Sequence, residues 1–200
     1  GGSDFSDFFE QFFGQGTRGT GRGGFGGRSQ AKGRDYETEM EISLEEAYAG
    51  ATRIIQLEDE KLRVTTKPGS YDGQSLRING KGGPGSNAAQ RGDLFVRIKV
   101  GPHPRFTRQA DDLRSMQAID LYTAVLGGET LVPTLSGQLK VKIAAGTQPG
   151  KMVRIKGKGM PVYGKTEVFG DLYVQLQVQI PEKLSEQQRQ LFEQLRTMAD

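Results

Sequence analysis

The strongest constraint on the fold of this 200-residue chain is that it repeats itself. Gly69-x-x-x-Gly73-x-x-x-Arg77-Ile78-x-Gly80-Lys81-Gly82 returns as Gly146-x-x-x-Gly150-x-x-x-Arg154-Ile155-x-Gly157-Lys158-Gly159, displaced by 77 positions (69 to 146). The same displacement carries Ile42, Leu44, Ala47 and Gly50 onto Ile119, Leu121, Ala124 and Gly127. Gly92-Asp93-Leu94-Phe95-Val96 returns as Gly170-Asp171-Leu172-Tyr173-Val174 at a displacement of 78, so the second copy holds one extra residue. A chain of this length can bury one large core or two small ones. Self-similarity at a long fixed period selects two copies of one unit.

Within each copy the apolar residues alternate. Leu94, Val96, Ile98 and Val100 are interleaved with Phe95, Arg97 and Lys99, and Leu172, Val174, Leu176, Val178 and Ile180 with Tyr173, Gln175, Gln177 and Gln179. That is the period of a half-buried strand. Tyr36, Thr38, Met40 and Ile42 against Glu37, Glu39 and Glu41 predict another. Residues 44–48 and 121–125 read as single helical turns, each ended by a glycine, Gly50 or Gly127. The recurring glycines, with a lysine between them, predict tight turns at positive φ. The expected fold is mainly β: two tandem homologous small β-sandwich domains, residues 35–113 and 114–181, each of about 75 residues. Pro102-His103-Pro104-Arg105-Phe106 and the polar Asp111-Asp112 mark a boundary of limited flexibility between them.

Both ends differ from this body. Residues 1–34 are Gly-rich and basic, with Ala31 as their only aliphatic side chain, and cannot bury enough surface to offset ordering. Within this disordered Gly/Phe-rich segment, Phe5, Phe8, Phe9, Phe12 and Phe13 fall on one helical face, with Asp4 placed to cap and Gly14 to end the helix. Such a helix is too short to be stable alone and too apolar to stay free in water, which points to docking on a partner domain or on the body. A collapsed aromatic tract in a flexible linker is the alternative. Residues 182–200 return to helical period, with Ser185 as N-cap and Leu184, Leu191, Phe192 and Leu195 on one face. The stripe either packs back on the second domain or pairs two chains, and an exposed apolar face favours a homodimer.

Composition removes most chemistry. With no Cys, no Trp and one His, disulfides, cysteine zinc sites and a cysteine nucleophile are excluded. No apolar run reaches a membrane span and no basic n-region opens the chain, so a cytoplasmic location is expected. The net charge of +3 permits nucleic-acid contact without arguing for it. Gly80-x-Gly82-x-x-Gly85 matches a dinucleotide fingerprint in letters only, because Pro84, Ser86 and Asn87 stand where its helix should start. His103 has no Ser, Cys or second His patterned around it and reads as a surface turn. Asp93 and Asp171 recur before a strand, where a carboxylate accepts backbone N–H bonds in a turn. No catalytic residue, metal or cofactor is expected.

These residues also carry a resemblance. The Gly/Phe-rich start, Leu44-Glu45-Glu46-Ala47-Tyr48-Ala49-Gly50, Arg91-Gly92-Asp93-Leu94-Phe95-Val96, Pro102-His103-Pro104-Arg105-Phe106 and Asp111-Asp112-Leu113 together resemble DnaJ-family co-chaperones. The similarity is to the class without a zinc finger, as in CbpA-like proteins, since Cys-x-x-Cys repeats are absent. No J-domain His-Pro-Asp motif precedes the Gly/Phe segment. The chain therefore reads as what remains once a J-domain is removed, and alone it is not expected to stimulate a DnaK-type ATPase. Ala110 stands where the family often has Gly.

The resemblance implies that an extended, unfolded client adds to an exposed strand edge of the first domain, with alternate side chains in an apolar groove. Carried over, the groove is lined by Met40, Ile55, Leu57 and Val96, with Arg53 at its rim for the acidic tail of a partner. The alternative is that all four are ordinary core residues of the first sandwich, and for Val96, on a regular strand, the two readings stand level. Ile54-Ile55 breaks strict alternation, which favours a functional role for one of the pair. The implied function is to bind unfolded clients, prevent their aggregation and deliver them to a DnaK-type chaperone. The alternative is binding of curved DNA through Arg18, Arg22, Arg28, Lys32 and Arg34.

Overall fold

The computed structural model describes residues 32–57, 60–86 and 90–198. The first unit contains β1 (Tyr36–Ile42), α1 (Leu44–Ala49), β2 (Thr52–Gln56), β3 (Lys61–Thr65), β4 (Ser75–Ile78) and β5 (Leu94–Val100). The second contains β6 (Thr107–Gln109), β7 (Asp112–Asp120), α2 (Leu121–Leu126), β8 (Gly128–Thr134), β9 (Gly137–Ile143), β10 (Met152–Ile155) and β11 (Leu172–Gln179), followed by α3 (Glu186–Thr197). The Phe-rich tract and Arg18, Arg22 and Arg28 lie outside the described residues.

Each unit pairs its first and last long strands in parallel, β1 with β5 and β7 with β11, and adds β4 or β10 antiparallel to the last strand. The sheets run β1-β5-β4 and β10-β11-β7-β6, with the hairpins β2-β3 and β8-β9 as separate two-stranded layers. The alternating residues meet between sheet and hairpin. Met40, Ile42, Leu94, Val96 and Ile98 are buried with Leu44 and Ala47 of α1 and Val64 of β3. Leu113, Ile119, Leu172, Val174 and Leu176 are buried with Ala124, Val132 and Ile143. Each aliphatic side chain so buried contributes about 1.5–3 kcal/mol.

The helical turns form where the sequence places them. Ser43 and Glu46 close a capping box on α1, Asp120 caps α2 through the Thr123 N–H, and Gly50 (φ 83°) and Gly127 (φ 82°) end them. The repeated glycines divide into two kinds. Gly80 and Gly157 have φ of 68°, the left-handed turn expected. Gly82 and Gly159 do not need positive φ; a Cβ on either would collide with the backbone of residues 92–93 or 170–171. Close approach, not turn conformation, demands glycine there.

The expected domain border at 113/114 falls inside β7. The short β6 pairs with Asp112–Arg114 and so belongs to the second sheet, and the sheets are separated by residues 101–106. The displacement of 77 already implies this, since it maps β1 onto 113–119.

Several contacts join the units. The Arg108 guanidinium donates to the carbonyls of Ser70 (2.6 Å), Gly69 (3.1 Å) and, within its own turn, Ala110 (2.7 Å). Tyr71 meets Tyr163 edge-on at 6.1 Å, and Tyr48 meets Phe169 at the same distance. His103 is a clamp rather than a free surface residue. Its Nδ1 accepts from the N–H groups of Arg105 and Phe106 (3.1 Å each), which leaves Nε2 to carry the proton and donate to Glu45 (2.9 Å).

Candidate functional site

β1 and β4 are the two edge strands of the first unit's sheet, and the β1 edge lies beside a groove. The Tyr36 N–H donates to the Asp93 carbonyl (2.8 Å) and the Ile42 carbonyl accepts from the Gly101 N–H (3.0 Å), so even-numbered residues of β1 bond to β5. With a period of two, the amides of Glu37, Glu39 and Glu41 point the other way. Among the described residues no strand pairs with that edge. Beside it, a groove of about 700 Å³ runs between β1 and the end of β2, lined by Tyr36, Glu37, Thr38, Gln56, Leu57 and Leu94 among others.

The structure separates the residues carried over from the resemblance. Leu57 lines the groove, and Ile55 on β2 is half-buried against the core. Ile54 points outward at 69 % exposure, which resolves the break in alternation: Ile55 faces the core and Ile54 solvent. Met40 and Val96 offer no groove surface. They are 5 % and 0 % exposed, because each sits on the side of its strand that faces the hairpin, and they serve as core beneath the groove. Arg53 pairs with Glu46 at 2.6 Å in an exposed ion pair, an interaction that contributes about 0–1 kcal/mol and is easily exchanged for another carboxylate.

The second unit holds an equivalent groove of about 360 Å³, lined by Ser115, Met116, Gln117, Leu131 and Pro133, with Arg105 and Phe106 at one end. Ser115 and Pro133 are displaced by 77 from Thr38 and Gln56, so the two grooves correspond.

Behind each groove lies a carboxylate network. Asp93 accepts from the Gly80 N–H (2.9 Å), Arg77 and Lys32, while its own N–H donates to Asp35. Asp171 accepts from the Gly157 N–H (2.8 Å) and Arg154, and its N–H donates to Asp112. The Gly80 N–H and Arg77 hold the Asp93 carboxyl down at about 2, and the matching partners depress Asp171. The sequence reading recovered Asp93 and Asp171 but not Asp35 and Asp112, although their separation is also 77. The network fastens the start of β1 to β5 and of β7 to β11.

At the far end α3 carries a full capping box at Ser185 and Gln188. Phe192 is half-buried and meets Tyr122 at 6.3 Å, whereas Leu191 and Leu195 stay 54 % and 61 % exposed, and Leu184 precedes the helix at 36 %. Leu191, Phe192 and Leu195 form one wall of a cavity of about 400 Å³; Leu121, Tyr122, Val125 and Leu126 of α2 form the other. Phe192 is thus the half-buried point at which the helix meets α2, with Leu191 and Leu195 largely exposed. The sequence shows residues 121–125 as a single helical turn and gives no sign that its apolar side chains form this wall.

No group of metal-binding side chains and no helix long and apolar enough to cross a membrane occurs among the described residues. The DnaJ C terminal domain family matches residues 36–181, the two units almost end to end. The chain belongs to the DnaJ C-terminal domain family. It is 36 % identical over 192 residues to chaperone protein DnaJ 2 of Thermus thermophilus, covering 96 % of this chain and 65 % of that one. It is 37 % identical over 221 residues to chaperone protein DnaJ of Deinococcus proteolyticus, covering 98 % and 69 %. It is 34 % identical over 207 residues to the curved DNA-binding protein of Coxiella burnetii, covering 96 % and 64 %. The chain spans about two thirds of the length of these relatives.

Proposed function

We propose that this DnaJ C-terminal module holds extended segments of unfolded polypeptides in the groove between β1 and β2, prevents their aggregation and passes them to a DnaK-type ATPase chaperone. The observation that carries this reading is the open edge of β1 beside a groove of mixed lining, where Tyr36, Leu57, Pro84 and Leu94 stand among Glu37, Glu60, Lys81 and Arg91. Unpaired amides of Glu37, Glu39 and Glu41 supply hydrogen bonds that read no side chain, while Leu57 in the groove wall, backed by the half-buried Ile55 two residues before it, takes alternate apolar residues. Met40 and Val96 act from below, by keeping the floor rigid. Arg53 serves the acidic tail of the partner by giving up Glu46. Two copies pair through Leu184, Leu191, Phe192 and Leu195 against the apolar wall of α2, and two grooves on one dimer raise avidity through effective concentration.

The test is binding of a labelled, extended apolar peptide at low and high salt, with wild type beside Ile55→Asp. Salt-tolerant binding that is lost in the variant supports the groove. Salt-sensitive binding indifferent to Ile55 removes it and favours the second reading, binding of curved DNA through the basic Gly-rich tract. That reading draws on the name of the Coxiella burnetii relative. Of the tract's cations, Lys32 is already engaged by Asp35 (3.3 Å) and Asp93 (3.2 Å).

A further inference from the structure

The open strand edges beside the two grooves differ in charge, although Lys81 and Arg91 balance Glu37 and Glu60 within the lining of the first groove. Along the open edge of β1 the outward-pointing amides belong to Glu37, Glu39 and Glu41, and the same three side chains stand exposed on the outer face of the sheet. Among the described residues no hydrogen bond or ion pair reaches these carboxylates, although Arg97 and Lys99 neighbour Glu39 and Glu41 on β5. At the matching positions of β7 stand Arg114, Met116 and Ala118. The register of the Leu113 N–H on the Asp171 carbonyl aims the amides of Met116 and Ala118 at the open side, beyond the short β6.

We infer that the first groove selects segments in which apolar residues alternate with Lys or Arg, whereas the second takes segments without such a charge preference. This rests on the client-groove reading above and adds its substrate class. A strand laid on β1 sends alternate side chains to opposite faces. One set lies toward Ile55 and Leu57; the other stands directly beside Glu37, Glu39 and Glu41. Opposite charges at such cross-strand positions attract and like charges repel. The same row keeps two copies from pairing edge to edge, since each would meet the other's carboxylates, so the edge stays open for a basic strand while rejecting its own kind. Three pairs, each worth about a factor of two, give about a tenfold preference at low salt.

The experiment uses two fluorescent ten-residue peptides that share apolar residues at alternate positions and carry Lys or Glu at the others. Anisotropy titrations are run on the full chain at two salt concentrations. The expected result is about tenfold tighter binding of the Lys peptide, shrinking with salt and abolished in Glu37→Gln/Glu39→Gln/Glu41→Gln. Glu39→Met/Glu41→Ala, which installs the residues that the second unit carries at these places, should lower the preference in proportion. Equal affinity of wild type for both peptides, each weakened by Ile55→Asp, overturns the charge selection and leaves the groove standing. A Lys preference that survives both edge variants also overturns it, placing the selection elsewhere. Binding indifferent to Ile55→Asp instead removes the groove itself.

Discussion

Arg108 ties the two units together through part-buried hydrogen bonds. Its side chain is 15 % exposed, and its donors reach the carbonyls of Gly69 and Ser70, both buried residues of the first unit, as well as Ala110 of its own turn. Replacing it with Ala removes three hydrogen bonds and strands two carbonyls at the joint. At about 1 kcal/mol net for each bond the loss is about 3 kcal/mol. Burial opposes this by lowering the guanidinium pKa, so removing the charge recovers part of the loss and leaves about 2–3 kcal/mol. For a body of this size that corresponds to a fall in Tm of roughly 5–10 °C. Arg108→Lys should recover little, because an ammonium cannot reproduce the planar fork. The assay is denaturant unfolding followed both by far-ultraviolet circular dichroism and by the tyrosine fluorescence that Tyr71 and Tyr163 contribute at the joint, taken as the difference from a Tyr71→Phe/Tyr163→Phe background. In wild type the two curves should coincide; in Arg108→Ala they should separate as the units uncouple. A loss below about 1 kcal/mol with coincident curves would refute the argument that Arg108 fastens the units.

Other perturbations follow from the same geometry. Ala110 holds a φ of 54° in the turn between β6 and β7, so Ala110→Gly should stabilise the chain by about 0.5–1 kcal/mol in thermal unfolding, relief of left-handed strain outweighing added unfolded-state entropy. Asp93 titrates at about 2, below its ordinary 3.8, and therefore contributes stability at pH above about 4 that is lost as pH falls toward 2. Asp93→Asn should flatten that part of the stability profile and leave stability less dependent on acid between pH 4 and 2. If two copies pair through α3 as proposed, Leu191→Glu/Leu195→Glu, at exposed apolar positions, should shift sedimentation from dimer to monomer with the fold intact by circular dichroism. Ile54→Asp, at an outward position, should leave peptide binding within twofold of wild type where Ile55→Asp abolishes it.

Much of this architecture is legible in the residues because its signals are local or periodic. Alternation places Leu94, Val96 and Ile98 inward, Gly50 and Gly127 stop the helical turns, and Ser185 starts the terminal helix. The repeat converts each local reading into two, and it held even where it went unread, at Asp35 and Asp112. The groove is another matter. Periodicity says that Met40, Val96 and Ile55 lie on packed faces of their strands, but it cannot say which stay partly exposed at an edge and which are sealed below a hairpin. That depends on β1 pairing with β5, more than fifty residues downstream (36 to 94), in parallel rather than with its sequence neighbour β2. Because that pairing takes up one side of β1 only, the other side, with Glu37, Glu39 and Glu41, is left open. Their sequence reads as the solvated face of a strand. Long-range strand order sets the same three residues along an open sheet edge.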